Sequence, residues 1–254
     1  MAKAANPTSD IRGVSLVDGS GATYAWVKFG ATITMAEGRT QNYVAQVVNS
    51  SVNAPVRIPS VYLTFEWDDW GFIAMEFVDG ITPEYNERDI AAIAAAVQFL
   101  VDIKGPDLVP GPIGGGPIRH PFFLDRESAV SYSSVDWLQQ HINNILRLAY
   151  GTNAGCVDLS TEVETYGLRL CPADLNRDNF KKDRTNRIVA LDFGATCFLP
   201  VSFFKHVLND TTDHLTILLR SRIELPESPH FNMLSKASFA LVPRLPHKPK
   251  PSID

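Results

Sequence analysis

The chain has 254 residues, enough for one large domain or two smaller lobes. Hydrophobic residues make up 45% and charged residues 20%, which excludes a disordered or fibrous protein. The net charge of −5 lacks the basic excess that binding to nucleic-acid phosphates requires, so we expect no nucleic-acid partner.

Apolar stretches and cysteines restrict the class further. The longest apolar stretch, Ile90 to Val101, is shorter than the roughly 20 residues of a membrane-spanning helix, so no membrane partner is expected. Met1 to Asp10 lacks the apolar run of a signal peptide, which predicts a cytoplasmic protein. Three cysteines without CxxC spacing predict reduced thiols and neither a disulfide framework nor a zinc site.

Strand signals dominate the first 80 residues. The β-prone run Val14 to Val17 leads through the turn sequence Asp18 to Gly21 into Thr23 to Lys28, which predicts a hairpin. A second hairpin is predicted from Val61 to Trp67 and Gly71 to Val78, both rich in aromatic and β-branched residues.

One predicted helix lies between these hairpins. Thr34 and Glu37 have capping-box spacing, and the helix is expected to continue to about Val48. Residues 1–80 are therefore expected to form a small antiparallel sheet with one helix, an N-lobe with a short nucleotide-binding sheet.

After residue 80 the pattern becomes helical. Residues 81–242 are predicted to form a helical C-lobe, and residues 243–254 a flexible Pro- and Lys-containing tail. A loop with three consecutive glycines, Gly114 to Gly116, is interpreted as structural. The predicted helices are Glu87 to Ile103, about Ser134 to Tyr150, Phe203 to Arg222 and His230 to Leu241. The predicted class is thus α+β with two lobes.

The polar segment from Cys171 to Gly194 carries the candidate chemistry. Phe180 to Lys182 can pair with Arg187 to Leu191 across a polar turn, which would place Asn179 beside Asp192. Amide and carboxylate oxygens suit Mg²⁺. Asp174, on the same loop, is a candidate base for a hydroxyl proton.

The spacing Asp174-x4-Asn179, followed by Asp192-Phe-Gly, resembles the catalytic and metal-binding loops of the bilobal protein-kinase-like fold. More closely, the chain resembles the aminoglycoside phosphotransferase and choline-kinase-like family, particularly its fungal members, over roughly residues 20–242. The other matching segments are Val27-Lys-Phe-Gly30, Glu37, Met75-Glu-Phe-Val-Asp-Gly80, Pro110-Gly-Pro-Ile-Gly-Gly-Gly116 and Leu191 to Pro200.

This resemblance implies a phosphotransferase that uses ATP and Mg²⁺ to phosphorylate a hydroxyl of a small molecule. Asp174 would orient that hydroxyl and accept its proton. The other implied roles are phosphate binding for Lys28, an ion pair with Lys28 for Glu37, adenine binding by the backbone around Glu76, Phe77 and Val78, and Mg²⁺ binding for Asn179 and Asp192. The acceptor and the oligomeric state are not specified by the sequence.

Several alternatives stay open at this level. Glu37 could simply close the capping box, and Lys28 could be a solvated strand-end residue. The turn Asp18 to Gly21 is either an ordinary hairpin turn or a shortened nucleotide loop.

Three departures from the family, one of them the abbreviated glycine loop before Lys28, motivate a second hypothesis, a catalytically impaired kinase-like binding module. Pro172-Ala173 stands where relatives usually have His-Gly, and Trp26 replaces a small residue, where it could stack on adenine or block it. A protein kinase is the third alternative. It is disfavoured by Asn176, where protein kinases typically have Lys, and by the missing Ala-Pro-Glu segment.

Overall fold

The computed structural model describes residues 11–242. Its strands are β1 (Ile11–Val17), β2 (Thr23–Gly30), β3 (Val56–Arg57), β4 (Val61–Trp67), β5 (Trp70–Glu76), β6 (Gly80–Ile81), β7 (Arg169–Pro172), β8 (Phe180–Asp183), β9 (Ile188–Ala190) and β10 (Thr196–Leu199). Its α-helices are α1 (Met35–Asn49), α2 (Glu87–Val101), α3 (Val135–Tyr150), α4 (Leu159–Tyr166), α5 (Val201–Leu208), α6 (His214–Leu219) and α7 (Phe231–Leu241).

The first lobe is a four-stranded antiparallel sheet of order β1-β2-β5-β4, with α1 packed against it. The strand, strand, helix, strand, strand order is as predicted. Asp68 and Asp69 form the tight turn between β4 and β5 with φ of 53° and 62°, a left-handed conformation that Asp tolerates better than most residues. The β1 strand is longer than predicted, because it starts at Ile11.

Helix α1 begins where its capping signal predicts. The Thr34 hydroxyl oxygen accepts the Glu37 amide at 3.1 Å, which satisfies one of the free amides of the first turn. Glu37 therefore lies in the first turn of α1. The capping hydrogen bond fixes the start of the helix and so fixes the position from which the Glu37 side chain extends.

The second lobe is mainly helical and contains most of the core. Helices α2, α3 and α7 follow the predicted ranges to within two residues. The single helix predicted over 203–222 is wrong: it divides into α5 and α6, because the Asp213 carboxylate caps a new start by accepting the amides of Leu215 and Thr216. Helix α4 was not predicted.

Short strands join the two lobes. Residues of β3, which follows α1, pair in parallel with β9, and the sheet continues in the order β3-β9-β8-β6. The predicted β8–β9 hairpin is present, with Phe180 opposite Ala190. A separate pair, β7 and β10, lies behind it.

The predicted α+β class, with an antiparallel-sheet lobe and a mainly helical lobe, is thereby confirmed. The lobe boundary near residue 80 stays a prediction, and the predicted tail 243–254 lies outside the described residues, as does the whole stretch Met1 to Asp10. In residues 11–242, every helix is too short or too polar to cross a bilayer.

Candidate active site

The lower wall of the cleft between the lobes is the loop region 174–194. Asn179 holds this region together, because its Nδ2 donates to the Asp174 carbonyl oxygen at 3.0 Å and to Asp174 Oδ2 at 3.2 Å. The Leu191 amide donates to the Asn179 carbonyl at 2.8 Å. The hairpin thus brings Asn179 next to the segment that carries Asp192, as its pairing pattern predicts.

Asp192 adopts an uncommon backbone conformation, with φ of 56°. Its Oδ1 accepts the Gly194 amide at 3.1 Å and Lys28 Nζ at 2.8 Å. Left-handed non-glycine residues cluster at functional sites, where the surrounding structure stabilises them. The two hydrogen bonds to Oδ1 leave Oδ2 as the carboxylate oxygen for a ligand.

The upper wall of the cleft is formed by β1, β2 and the start of α1. Lys28 Nζ lies 2.7 Å from Glu37 Oε1, and both side chains are buried. Burial lowers the pKa of Lys28, but the carboxylates of Glu37 and Asp192 outweigh it and leave the pKa above its usual value. Lys28 is therefore protonated at neutral pH, and its ammonium group links the two walls.

Of the two roles that the sequence left open for the Glu37 side chain, the structure has the ion pair with Lys28. Its amide takes part in helix capping, while its carboxylate pairs with Lys28. Glu37 Oε2 is buried without a hydrogen-bond partner among the described residues. Burial raises the pKa of this carboxyl by more than Lys28 lowers it.

The segment Glu76 to Val78 connects the lobes. The Glu76 and Phe77 amides donate to the carbonyls of Ser60 and Tyr24, and the Glu76 carboxylate pairs with Arg57. Within residues 11–242 the Val78 amide has no protein partner. Of the three amides, Val78 is thus the one that a ligand could use.

A cavity of about 330 Å³, here named the cleft cavity, lies between the two walls. Its lining residues are Gly13, Trp26, Lys28, Glu37, Gln41, Met75, Asp178, Asn179, Leu191 and Asp192. Asp178 was missed by the sequence analysis, although its position directly before Asn179 was a usable signal.

The oxygen donors of the cleft cavity suit Mg²⁺. Asn179, Asp192 and Asp178 offer one amide and two carboxylates, which fits a cation that keeps several waters and also binds phosphate oxygens. In residues 11–242, no three His, Cys, Asp or Glu side chains converge into a self-sufficient metal cluster. Such a donor set would need the substrate to complete it.

A second cavity of about 320 Å³, here named the side cavity, is lined by Asp174. The remaining lining residues are Thr32, Arg119, His120, Pro121, Asp125, Arg126, Glu127, Ala173 and Ala195. Asp125 and Arg126 have consecutive left-handed φ of 57° and 60°. Burial lowers the pKa of His120 to about 3, so this ring is neutral.

The loop before Asp174 is held by backbone bonds. Ala173 N–H donates to the Ala195 carbonyl at 2.8 Å, which ties the Asp174 loop to the segment after Asp192. Pro172 ends β7 opposite Thr196 of β10. The two loops are therefore connected through the backbone next to Pro172-Ala173.

Neither glycine run is among the residues that line the cleft cavity. A Cβ added to Gly19 would meet no atom of residues 11–242 within 4 Å, so no other described segment packs on the β1–β2 turn at this position. Gly114 packs against Arg39, and Gly115 and Gly116 line a small cavity behind Glu37.

No protein-family model matches the chain, and no curated protein matches it. Among solved structures it is similar to a choline kinase from Streptococcus pneumoniae, with 13% identity, 91% of this chain and 83% of that one covered, and a TM-score of 0.42. An aminoglycoside phosphotransferase from Alicyclobacillus acidocaldarius is 12% identical, with 95% and 76% covered and a TM-score of 0.46. A macrolide 2'-phosphotransferase from Brachybacterium faecium is 10% identical, with 92% and 80% covered and a TM-score of 0.46.

At such values the likeness carries no functional weight. The function has to come from the chemistry of the site itself.

Proposed function

We propose that this protein is a phosphotransferase that moves the γ-phosphoryl group of ATP to a hydroxyl of a small molecule. The supporting observation is that Asp174 and Asn179, joined by a hydrogen bond, line different cavities. Asn179 faces the side with Lys28 and Asp192, which suits a nucleotide triphosphate. Asp174 faces the side cavity, which suits an acceptor.

The roles follow from the contacts. Lys28, oriented by Glu37, binds phosphate oxygens, and Val78 N–H is available to the base. Asn179 and Asp192, with Asp178 beside them, would hold Mg²⁺, which neutralises phosphate charge when it is bound.

Asp174 acts on the acceptor. Its Oδ2 is held by Asn179 Nδ2, whereas no hydrogen bond within residues 11–242 occupies Oδ1, which would accept the proton of the acceptor hydroxyl. That hydroxyl then attacks the γ-phosphorus, and the bond from this phosphorus to the ADP oxygen breaks. The side cavity is lined by both a cationic residue, Arg126, and an anionic residue, Asp125. Its charge therefore favours neither cationic nor anionic acceptors.

The second candidate function is a catalytically impaired binding module. It is favoured by Trp26, whose large ring lines the cleft cavity where relatives usually have a small residue. Such a module would bind a nucleotide or a partner without turnover. The fungal-type subgroup, the cytoplasmic location and the lobe boundary are also proposals, supported by the sequence patterns alone.

Two measurements test the proposal. Thermal unfolding with and without Mg-ATP should show stabilisation, about 2.7 kcal/mol at 100 times the dissociation constant, and the shift should fall in Asp192→Asn. Transfer from γ-labelled ATP to a panel of amino alcohols, aminoglycosides and sugars should then show turnover. The absence of any shift at millimolar Mg-ATP would reject the phosphotransferase, whereas binding without transfer would favour the impaired module.

A further inference from the structure

The ring of Trp26 rests against the neighbouring strand. Trp26 pairs with Ser15 of β1, and its ring extends diagonally over Gly13. A Cβ added to Gly13 would lie 2.0 Å from Trp26 Cζ2, so the ring occupies the volume that a side chain at residue 13 would fill. Gly13 therefore leaves room for the ring to lie against the sheet.

The cleft cavity has free space beside the Trp26 ring. Trp26 is 37% exposed, and the cavity that it lines still measures about 330 Å³. On the same face, Trp26 pairs with Met75 of β5, while Leu191 lines the cavity from the lower wall. The apolar residues of the cleft cavity thus come from both walls, with an aromatic ring on the upper one.

We propose that Trp26, seated on Gly13, is the stacking platform for the nucleobase and a determinant of nucleotide affinity. A purine would lie between the indole ring and the side chain of Leu191. This inference rests on the proposed nucleotide site, and it assigns to Trp26 a positive role in binding. Stacking of a base on an aromatic side chain is tolerant of base identity, because every base offers a π-face.

The test compares Mg-ATP with Mg-tripolyphosphate, which lacks base and ribose. Trp26→Leu should weaken Mg-ATP binding by about 5-fold or more, the usual range for one stacked base, and leave Mg-tripolyphosphate binding unchanged. Trp26→Phe should retain most of the affinity. Trp67→Leu, which removes an indole that is 71% exposed at the end of β4, is the matched control and should bind Mg-ATP as the wild type does.

Fluorescence and a second variant give independent readouts. Mg-ATP should quench the tryptophan emission of the wild type and of Trp67→Leu, and this quenching should be lost in Trp26→Leu. Gly13→Ala should displace the ring and weaken Mg-ATP binding without removing the indole. This variant keeps the test possible if Trp26→Leu does not fold.

The possible outcomes distinguish a failure of the stacking role of Trp26 from a failure of the proposed phosphotransferase function. Unchanged or tighter Mg-ATP binding in Trp26→Leu would overturn the platform, and tighter binding would show that the ring blocks the base. Equal affinity of the wild type for Mg-ATP and Mg-tripolyphosphate would overturn it too, while leaving the phosphate site intact. Binding of neither ligand would reject the proposed function and the platform together.

Discussion

The lower wall of the cleft is built from polar loops, whereas the upper wall is a sheet face whose shape depends on packing. On the lower wall, hydrogen bonds between near neighbours in sequence fix Asp174, Asn179 and Asp192. On the upper wall, Trp26 and Gly13 adjust to each other across two strands. The lower wall thus carries the polar side chains of the loops, the upper wall sets the room beside Trp26, and Lys28 links the two walls through Asp192.

The largest expected effect concerns the lower wall. Asp174→Asn removes the proton acceptor but preserves the shape of the side chain, so turnover should fall about 10²- to 10⁴-fold. Steady-state kinetics with the best acceptor would measure this. Mg-ATP binding, followed by thermal unfolding, serves as the control and should not change. Unchanged turnover would contradict the base role and leave the lower wall as a binding surface.

The next effect concerns Lys28, which joins the walls. Lys28→Met would leave the Glu37 carboxylate buried without its cation, and the free energy of unfolding should fall by about 3 kcal/mol near neutral pH. Urea unfolding measures this loss. In the double variant with Glu37→Gln, part of the stability should return, because the uncompensated charge has gone.

The pH dependence of this loss has a defined sign. The pKa of Glu37 is raised in the folded state by burial, so its contribution to stability is present below its unfolded pKa and is lost as the pH rises through the folded pKa. Without the Lys28 cation, the folded-state pKa of Glu37 should rise further, because Lys28 is the group that lowers it most. The loss in Lys28→Met should therefore be smaller at about pH 5 than at neutral pH, and a loss independent of pH would contradict the buried carboxylate as its cause.

A smaller effect is expected at Asp178, the lower-wall residue that the sequence analysis missed. Asp178→Asn retains the loop, because the residue-178 amide is still capped by the Asn176 side chain at 2.9 Å. The Mg²⁺ concentration for half-maximal turnover should rise about 10-fold, as for residues that support a metal indirectly. Asp125→Asn, in the side cavity, is the control and should leave the Mg²⁺ requirement unchanged. An unaltered requirement in Asp178→Asn would exclude Asp178 from the metal site.

The sequence predicted those parts of the molecule that depend on short-range signals. The Thr34 cap, the β8–β9 hairpin and the juxtaposition of Asn179 with the Asp192 segment follow from local spacing, and the structure has all three. The packing of the Trp26 ring on Gly13 was not predictable, because it depends on the register between β1 and β2 and on the side-chain volume that is missing at residue 13. The β3–β9 pairing escaped prediction as well, since it joins residues more than 130 positions apart.

The smallest expected effect would decide whether the β1–β2 turn belongs to the upper wall. Gly19 has no left-handed φ, and an added Cβ would meet no atom within 4 Å, so Gly19→Ala should fold normally. If the turn only connects two strands, the KM for ATP should change less than about twofold, well under the effect of one hydrogen bond. Gly21→Ala is the variant for comparison with Gly19→Ala. Because Gly21 has a φ of 84°, an alanine there should lower the free energy of unfolding whether or not the turn contacts the nucleotide. A large rise in KM for Gly19→Ala alone would instead make the turn a shortened nucleotide loop, and the upper wall would then contribute to phosphate binding beyond Lys28.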